Sequence, residues 1–290
     1  SESHADYLSK ACASLQIPIL GALPEIPELR WPERHLGLQP GVEQKLPEAD
    51  HLAELAEKYF DLKLLIKKFP VLSTLAAQVK KLHSAPPKFS KRIAVAQDEA
   101  FHFYYVANLE WLRQHGAEIV SFSPLHDNKV PENVDGLILG GGFPEVFAEE
   151  MSANRSMLIS LKKSVESGIP CYAECGGLML LADGLKVHSG KCYSMAGVVP
   201  GTVEMTKQLQ NFGYCKIDSL KSGEIRGHEF HYSRWSEETK QANLWDVTRH
   251  STRISRREGY RTANLHASYV HLYFPQAAPL IREVLHLLPS

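Results

Sequence analysis

No run of about twenty apolar residues, the length a membrane-spanning helix needs, occurs in the 290-residue sequence, and no signal peptide opens it. A membrane partner is therefore not expected. Charge of one sign is missing too: 32 basic and 33 acidic side chains leave a formal net charge of −1. That balance carries no electrostatic footprint for nucleic acid. Cysteine is sparse and poorly spaced for pairing. Cys12, Cys171, Cys175, Cys192 and Cys215 are odd in number and contain no C-x-x-C. The pattern argues against a disulfide framework and a zinc ribbon, and for reduced thiols in a cytoplasmic protein. No G-x-x-x-x-G-K-[ST] occurs, so a phosphate cradle of the P-loop kind is lacking. Repeats and low-complexity tracts are absent as well.

What is present reads as an α/β chain with an unusual beginning. "ADYLSKACASLQ" predicts an amphipathic helix, "IPILGALP" (Ile17 to Pro24) a buried strand, and "WPERHLGLQPG" a loop. One helix, one strand and a loop cannot close a core. Residues 1–84 therefore read as the tail of a second α/β domain plus connecting helices. The connecting pattern runs from Glu48 to Leu82, with Leu52, Leu55, Ala56, Tyr59 and Phe60 on one face. The first residue is serine rather than methionine, which suggests a piece of a longer chain. A proline-bearing linker is predicted at 85–91, and the main domain at 92–290.

From Arg92 the chain alternates. "RIAVAQ", "AEIVSFSP", "VDGLILGGG" and "IPCYAEC" read as strands. Helices are predicted in "FYYVANLEWLRQHG", with Tyr105, Val106, Leu109 and Leu112 as its stripe, in Pro144 to Gly168, in "GGLMLLADG" and in Gln276 to Leu288. Near-continuous apolar strands alternating with helices indicate a mostly parallel sheet covered on both faces.

The chemistry gathers at strand ends. In "YAECGGL" the thiol of Cys175 falls between a strand and a helix. A sharp turn there lifts one side chain above the sheet, as in a nucleophile elbow. Gly176 and Gly177 keep the turn free of Cβ clashes. The unpaired N–H groups of the following helix favour thiolate, and that of Gly176 could serve an oxyanion. A thiolate usually works with a histidine, and "SYVHLYF" sets His271 in an apolar run near the chain end. "GGGFPE", Gly140 to Glu145, ends the neighbouring strand without G-x-G-x-x-G spacing, so it reads as a turn with exposed N–H groups rather than a nucleotide loop.

Together, "LILGGGFPE", "YAECGGL", "SYVHLYF", "RGHEFHYS" and "DEAFHFYYVANLEWLRQHGAEIVSFSPLHD" resemble the triad-type glutamine amidotransferase domain of the cobyrinic acid a,c-diamide synthase family. "ILGALPEIPELRWPERHLGL" is similar to the end of that family's dethiobiotin-synthetase-like ATP-binding domain. The resemblance implies Cys175 as nucleophile, His271 as its acid–base partner, and the N–H groups of Gly141, Gly142 and Gly176 as oxyanion hole. It implies glutamine as ammonia donor and a corrinoid or related tetrapyrrole as acceptor. ATP and Mg²⁺ would serve the intact enzyme, whose N-terminal ATP-binding half is lacking, so tight ATP binding by this chain is not expected. Self-association as a homodimer is a further expectation. Nickel-sirohydrochlorin diamide synthase shares the layout, and a non-catalytic remnant of the fold is the reading from another class. One departure stands out: triad enzymes carry glutamate two residues after the histidine, and here that place is Tyr273.

Acceptor or nucleotide contacts are expected from Arg34, His35, Tyr104, Tyr105, His228 and His231. A metal site is not. His228 and His231 have H-x-x-H spacing, but on a strand they point to opposite faces.

Overall fold

The computed structural model describes residues 2–13, 15, 17–34, 37–38, 47–68, 91–219, 223–237 and 242–287. The chain forms two compact units, 1–84 and 85–290.

In the first unit, helix α1 (Glu2–Ala13) precedes a short 3-10 turn and an antiparallel pair, β1 (Glu33–Arg34) and β2 (Gly37–Leu38). Helices α2 (Ala49–Tyr59) and α3 (Leu62–Lys68) follow. The buried strand expected at Ile17 to Pro24 is not found. That segment makes one isolated bridge, Gly21 to Phe60, and leaves Ile17, Ile19 and Leu23 exposed. A strand is buried by neighbours, and beyond the short β1–β2 pair the described residues of this unit offer no sheet to receive it. The long helical pattern is broken at Asp61, whose carboxylate accepts the N–H of Leu64 and starts a new helix. Residues 69–82 of that pattern, and the linker apart from Lys91, lie outside the described residues.

The second unit is built on β3 (Lys91–Ala96), β4 (Ala117–Phe122), β5 (Gly136–Leu139) and β6 (Cys171–Glu174), interleaved with α4 (Val106–Gln114), α5 (Ala148–Ala153) and α6 (Arg155–Glu166). Helix α7 (Gly176–Leu181) leads into β7 (Ala182–Lys186), β8 (Cys192–Ser194), β9 (Val199–Met205), β10 (Asn211–Ser219), β11 (Gly223–His231) and β12 (Ser233–Trp235). Then come β13 (Trp245–Arg249), β14 (Ser255–Glu258), β15 (Tyr260–Arg261), β16 (Leu265–Ser268), β17 (His271–Leu272) and α8 (Ala278–Val284).

The main sheet has the order β15-β16-β6-β5-β3-β4. All its pairings are parallel except β15 with β16. Alternation along each strand divides the core in two. Ala94, Leu137, Leu139 and Ala173 face α5, α6 and α7, whereas Ile93, Val95, Ile138 and Tyr172 face α4 and α8. Helices thus cover both faces, as a parallel sheet requires. The later strands form two further sheets, β14-β13-β10-β11-β17 and β12-β9-β7-β8.

Several expected boundaries move. The stripe of α4 is Asn108, Trp111 and Leu112, while Val106 is 73% exposed, because the helix starts only at Val106. The helix expected from Pro144 to Gly168 is two helices, divided where Asn154 caps the second by accepting the N–H of Met157. "GGLMLLADG" is helical only to Leu181, since Ala182–Lys186 pairs with β8 and β9. The last helix is the shorter α8.

Candidate active site

Local geometry lifts Cys175 out of the sheet. It caps α7 at φ +47° and ψ −98°, a backbone conformation that non-glycine residues rarely adopt. Its N–H donates to the carbonyl of Ser268 on the neighbouring strand, at 2.7 Å, and its carbonyl accepts the N–H of Met179. The glycines have distinct reasons. A Cβ on Gly177 would stand 2.2 Å from the carbonyl oxygen of Leu139, so only glycine lets α7 lie this close to β5. A Cβ on Gly176 would stand 3.2 Å from the amide nitrogen of Gly142. The backbone of the Gly142 turn therefore passes close to the first residue of α7. Gly141 differs: it bridges Phe103, and a Cβ there would stand 2.7 Å from Cε1 of His271. Its structural contribution is room for the imidazole.

β17 brings His271 to the same place. The buried side chain of Asn108 grips that strand from α4, donating to the carbonyl of Leu272 and accepting the N–H of Phe274. The imidazole is 4% exposed. Its Nδ1 faces Oε2 of Glu174 at 3.3 Å, and Phe103 packs edge-on at 5.0 Å between ring centroids. Burial by itself would lower the pKa of His271. Hydrogen bonds to Cys175 and Glu174, together with their charges, outweigh burial and lift it to about 10.

Glu174 is the group the sequence reasoning missed. It is 7% exposed, and Oε1 accepts both the N–H of Leu272 at 3.0 Å and the hydroxyl of Tyr172. It thus supplies the orienting carboxylate from the position before the nucleophile. Tyr273 is instead exposed beside the site. A signal was available: an acid inside the apolar strand "IPCYAEC" is almost never buried without a partner.

The other expected residues separate. His228 lies near His271, with ring centroids 5.2 Å apart, and its Nδ1 is 3.4 Å from the hydroxyl of Tyr105. Burial, and next the charge of His271, hold His228 below the usual histidine pKa. Tyr104 works underneath: its hydroxyl donates to the Ala96 carbonyl and accepts the N–H of Gly140, propping the glycine turn. His231 is buried on the opposite face of β11, stacked on Tyr269 with Nδ1 on the Ser233 carbonyl. Arg34 lies in β1 with its side chain outside the described set, and His35 is outside it altogether. Among the described residues no group of three or more His, Cys, Asp or Glu side chains is placed to hold a metal. No helix among them is long and apolar enough to cross a membrane.

A parallel α/β sheet with a cysteine on a strained turn, and a histidine and carboxylate beside it, defines a class of proteins arranged for thiol nucleophile chemistry. Within that class, residues 92–279 match the CobB/CobQ-like glutamine amidotransferase domain, and the chain belongs to that family. It is 41% identical over 299 residues to a cobyrinate a,c-diamide synthase of Listeria innocua, covering 98% of this chain and 65% of that protein. It is 41% identical over 284 residues to one of Caldanaerobacter subterraneus, covering 94% and 62%. The chain thus spans a little under two thirds of these relatives. A crystal structure of a glutamine amidotransferase superposes with a TM-score of 0.48 at 17% identity, covering 67% of this chain and 97% of that one.

Proposed function

We propose that this chain is the glutamine-hydrolysing, ammonia-supplying part of an ATP-dependent cobyrinate a,c-diamide synthase of cobalamin biosynthesis. The observation that carries the reading is the placement of His271 beside Cys175, with Glu174 Oε2 3.3 Å from its Nδ1; those two partners raise the pKa of His271 to about 10, which favours the imidazolium. A cation there is the partner a thiolate needs. The sulfur attacks the side-chain amide carbon of glutamine. Negative charge developing on the amide oxygen is received by the N–H groups of Gly142 and Gly176. His271 gives its proton to the departing nitrogen, so the C–N bond breaks to ammonia and a γ-glutamyl thioester. The now neutral His271 takes a proton from water as it attacks the thioester, releasing glutamate and restoring the ion pair.

In the whole enzyme the ammonia would amidate carboxylates of a corrinoid that ATP has activated. The name shared by the relatives favours cobyrinate over nickel-sirohydrochlorin as acceptor. Mg-ATP itself is expected to bind this chain weakly. The deciding experiment is reaction with an electrophilic glutamine analogue, followed by peptide mapping and an assay of ammonia release. Label on Cys175, with release abolished in Cys175→Ala, is expected. Label on Cys171 or Cys192 with Cys175 untouched would overturn the assignment.

A further inference from the structure

Glu258 touches none of the reacting groups, yet it grips the segment that links two of them. It lies on β14, in the five-stranded sheet, and is 1% exposed. A carboxyl group buried this deeply needs donors aimed at it, and three converge on it. Its Oε2 accepts Trp245 Nε1–H at 2.8 Å and the Ser268 hydroxyl at 2.7 Å, and its Oε1 accepts the Tyr269 N–H at 2.7 Å. Trp245 belongs to the same sheet as Glu258. Ser268 does not: it ends β16 of the main sheet, and Tyr269 begins the crossing to β17.

What that crossing carries gives these bonds a chemical meaning. Ser268 stands opposite Glu174 where β16 pairs with β6, and its carbonyl accepts the Cys175 N–H at 2.7 Å. That bond helps hold Cys175 at φ +47°. Three residues further on, the chain reaches His271. Between the two ends, the Ser268 hydroxyl that donates to Glu258 also accepts the Val270 N–H at 2.9 Å. The carboxyl group thus fixes Ser268 and Tyr269 directly, and Val270 through one oxygen. The ring of Tyr269 is braced separately, stacked on His231 with centroids 3.8 Å apart. We infer that Glu258 is a positioning residue for glutamine hydrolysis: through Ser268 and Tyr269 it sets the short run that holds the Cys175 N–H at one end and carries His271 at the other. The inference rests on the proposed function for the reaction it serves, and on the hydrogen bonds alone for the geometry. Its role is distinct from that of Glu174, which touches the imidazole itself.

Two variants of the 290-residue chain test it. Ser268→Ala removes one oxygen and cuts the link to Val270. Glu258→Gln keeps the shape but sets an N–H donor against groups that themselves donate. Circular dichroism checks folding, and Ser268→Ala carries the test if Glu258→Gln does not fold. The first readout needs no glutamine: the imidazole titration of His271, followed by NMR in protein with isotope-labelled histidine and assigned by the signal lost in His271→Ala. His271 is faced by Cys175, Glu174 and His228, and the first two raise its pKa to about 10. A displaced imidazole loses part of that support, so in both variants it should titrate at least about one pH unit lower. The second readout is ammonia release. Its kcat should fall about tenfold or more with KM within about twofold, and the double variant should lose no more than the worse single one, because both act through one relay. A Glu258 that merely stabilises the fold would lower the urea midpoint and leave the His271 titration and kcat as in the parent. That result in either variant overturns the inference, and losses that multiply in the double variant overturn the shared relay. A parent chain that releases no ammonia removes the proposed function, and the His271 titration then decides the inference by itself.

Discussion

At the scale of single residues, the site depends on the three groups Cys175, His271 and Glu174, and their variants should behave differently. His271→Ala removes the proton carrier and should lower glutamine hydrolysis by about 10²-fold or more. Near-normal turnover in it would hand the role to another histidine. Glu174→Gln keeps an oxygen for the N–H of Leu272 but removes the charge that helps hold the proton on His271. Its rate should fall about tenfold or more, and the pKa of His271, about 10 in the parent, should move down. The pH–rate profile reads this directly, and a merely structural role for Glu174 would leave its shape unchanged. The residue scale is also where sequence reading was most uneven. The turn at Cys175 was visible because strand, thiol and two glycines are contiguous. Glu174 carries no such mark, because the resemblance points for an orienting acid to the place two residues after the histidine, which is Tyr273. The contact that reveals it joins positions 97 apart, and no local pattern marks such a pairing.

At the scale of elements, the placement of α7 against β5 decides whether the turn exists. Gly177→Ala would force a methyl group to 2.2 Å from a backbone oxygen that cannot rotate away. The helix must then retreat, taking the Gly142 and Gly176 N–H groups out of register. Overpacking of this kind costs about 1–3 kcal/mol or more, and urea unfolding together with glutaminase assay should show stability and rate falling together. An unchanged urea midpoint would mean that the helix has slack. The parallel strands were legible as apolar runs because each is buried on both faces. The start of α4 was not, since aromatic residues 103–105 suit a helix equally well. Burial of Ile17 to Pro24 was expected from its composition alone, but a strand's burial is a property of its neighbours.

At the scale of the whole second unit, Glu258 stitches two sheets together. It sits on β14, accepts from Trp245 Nε1 on β13, and accepts the Ser268 hydroxyl and Tyr269 N–H at the end of β16. Burial first, and then the charge of Glu229, push its pKa up from 4.5 to about 7. The folded state therefore holds a proton that the unfolded chain has already lost over this interval, so stability falls as pH rises from 4.5 to 7. The group's share is on the order of 3 kcal/mol. Glu258→Gln should flatten that part of the stability curve, as urea midpoints at pH 4.5 and 7.5 would show. A slope equal to the parent's would place the titration elsewhere.

One covalent fact about the site has mechanical meaning. Glu174 and Cys175 are joined by a peptide bond, so thermal breathing between strands cannot separate acid from nucleophile. His271 alone rides on another segment, held by Asn108 and by Glu174 itself. The placement of His271 against the other two groups therefore rests on non-covalent contacts between segments. Geometry between acid and nucleophile is thus fixed by covalent structure, and geometry to the histidine by non-covalent contacts.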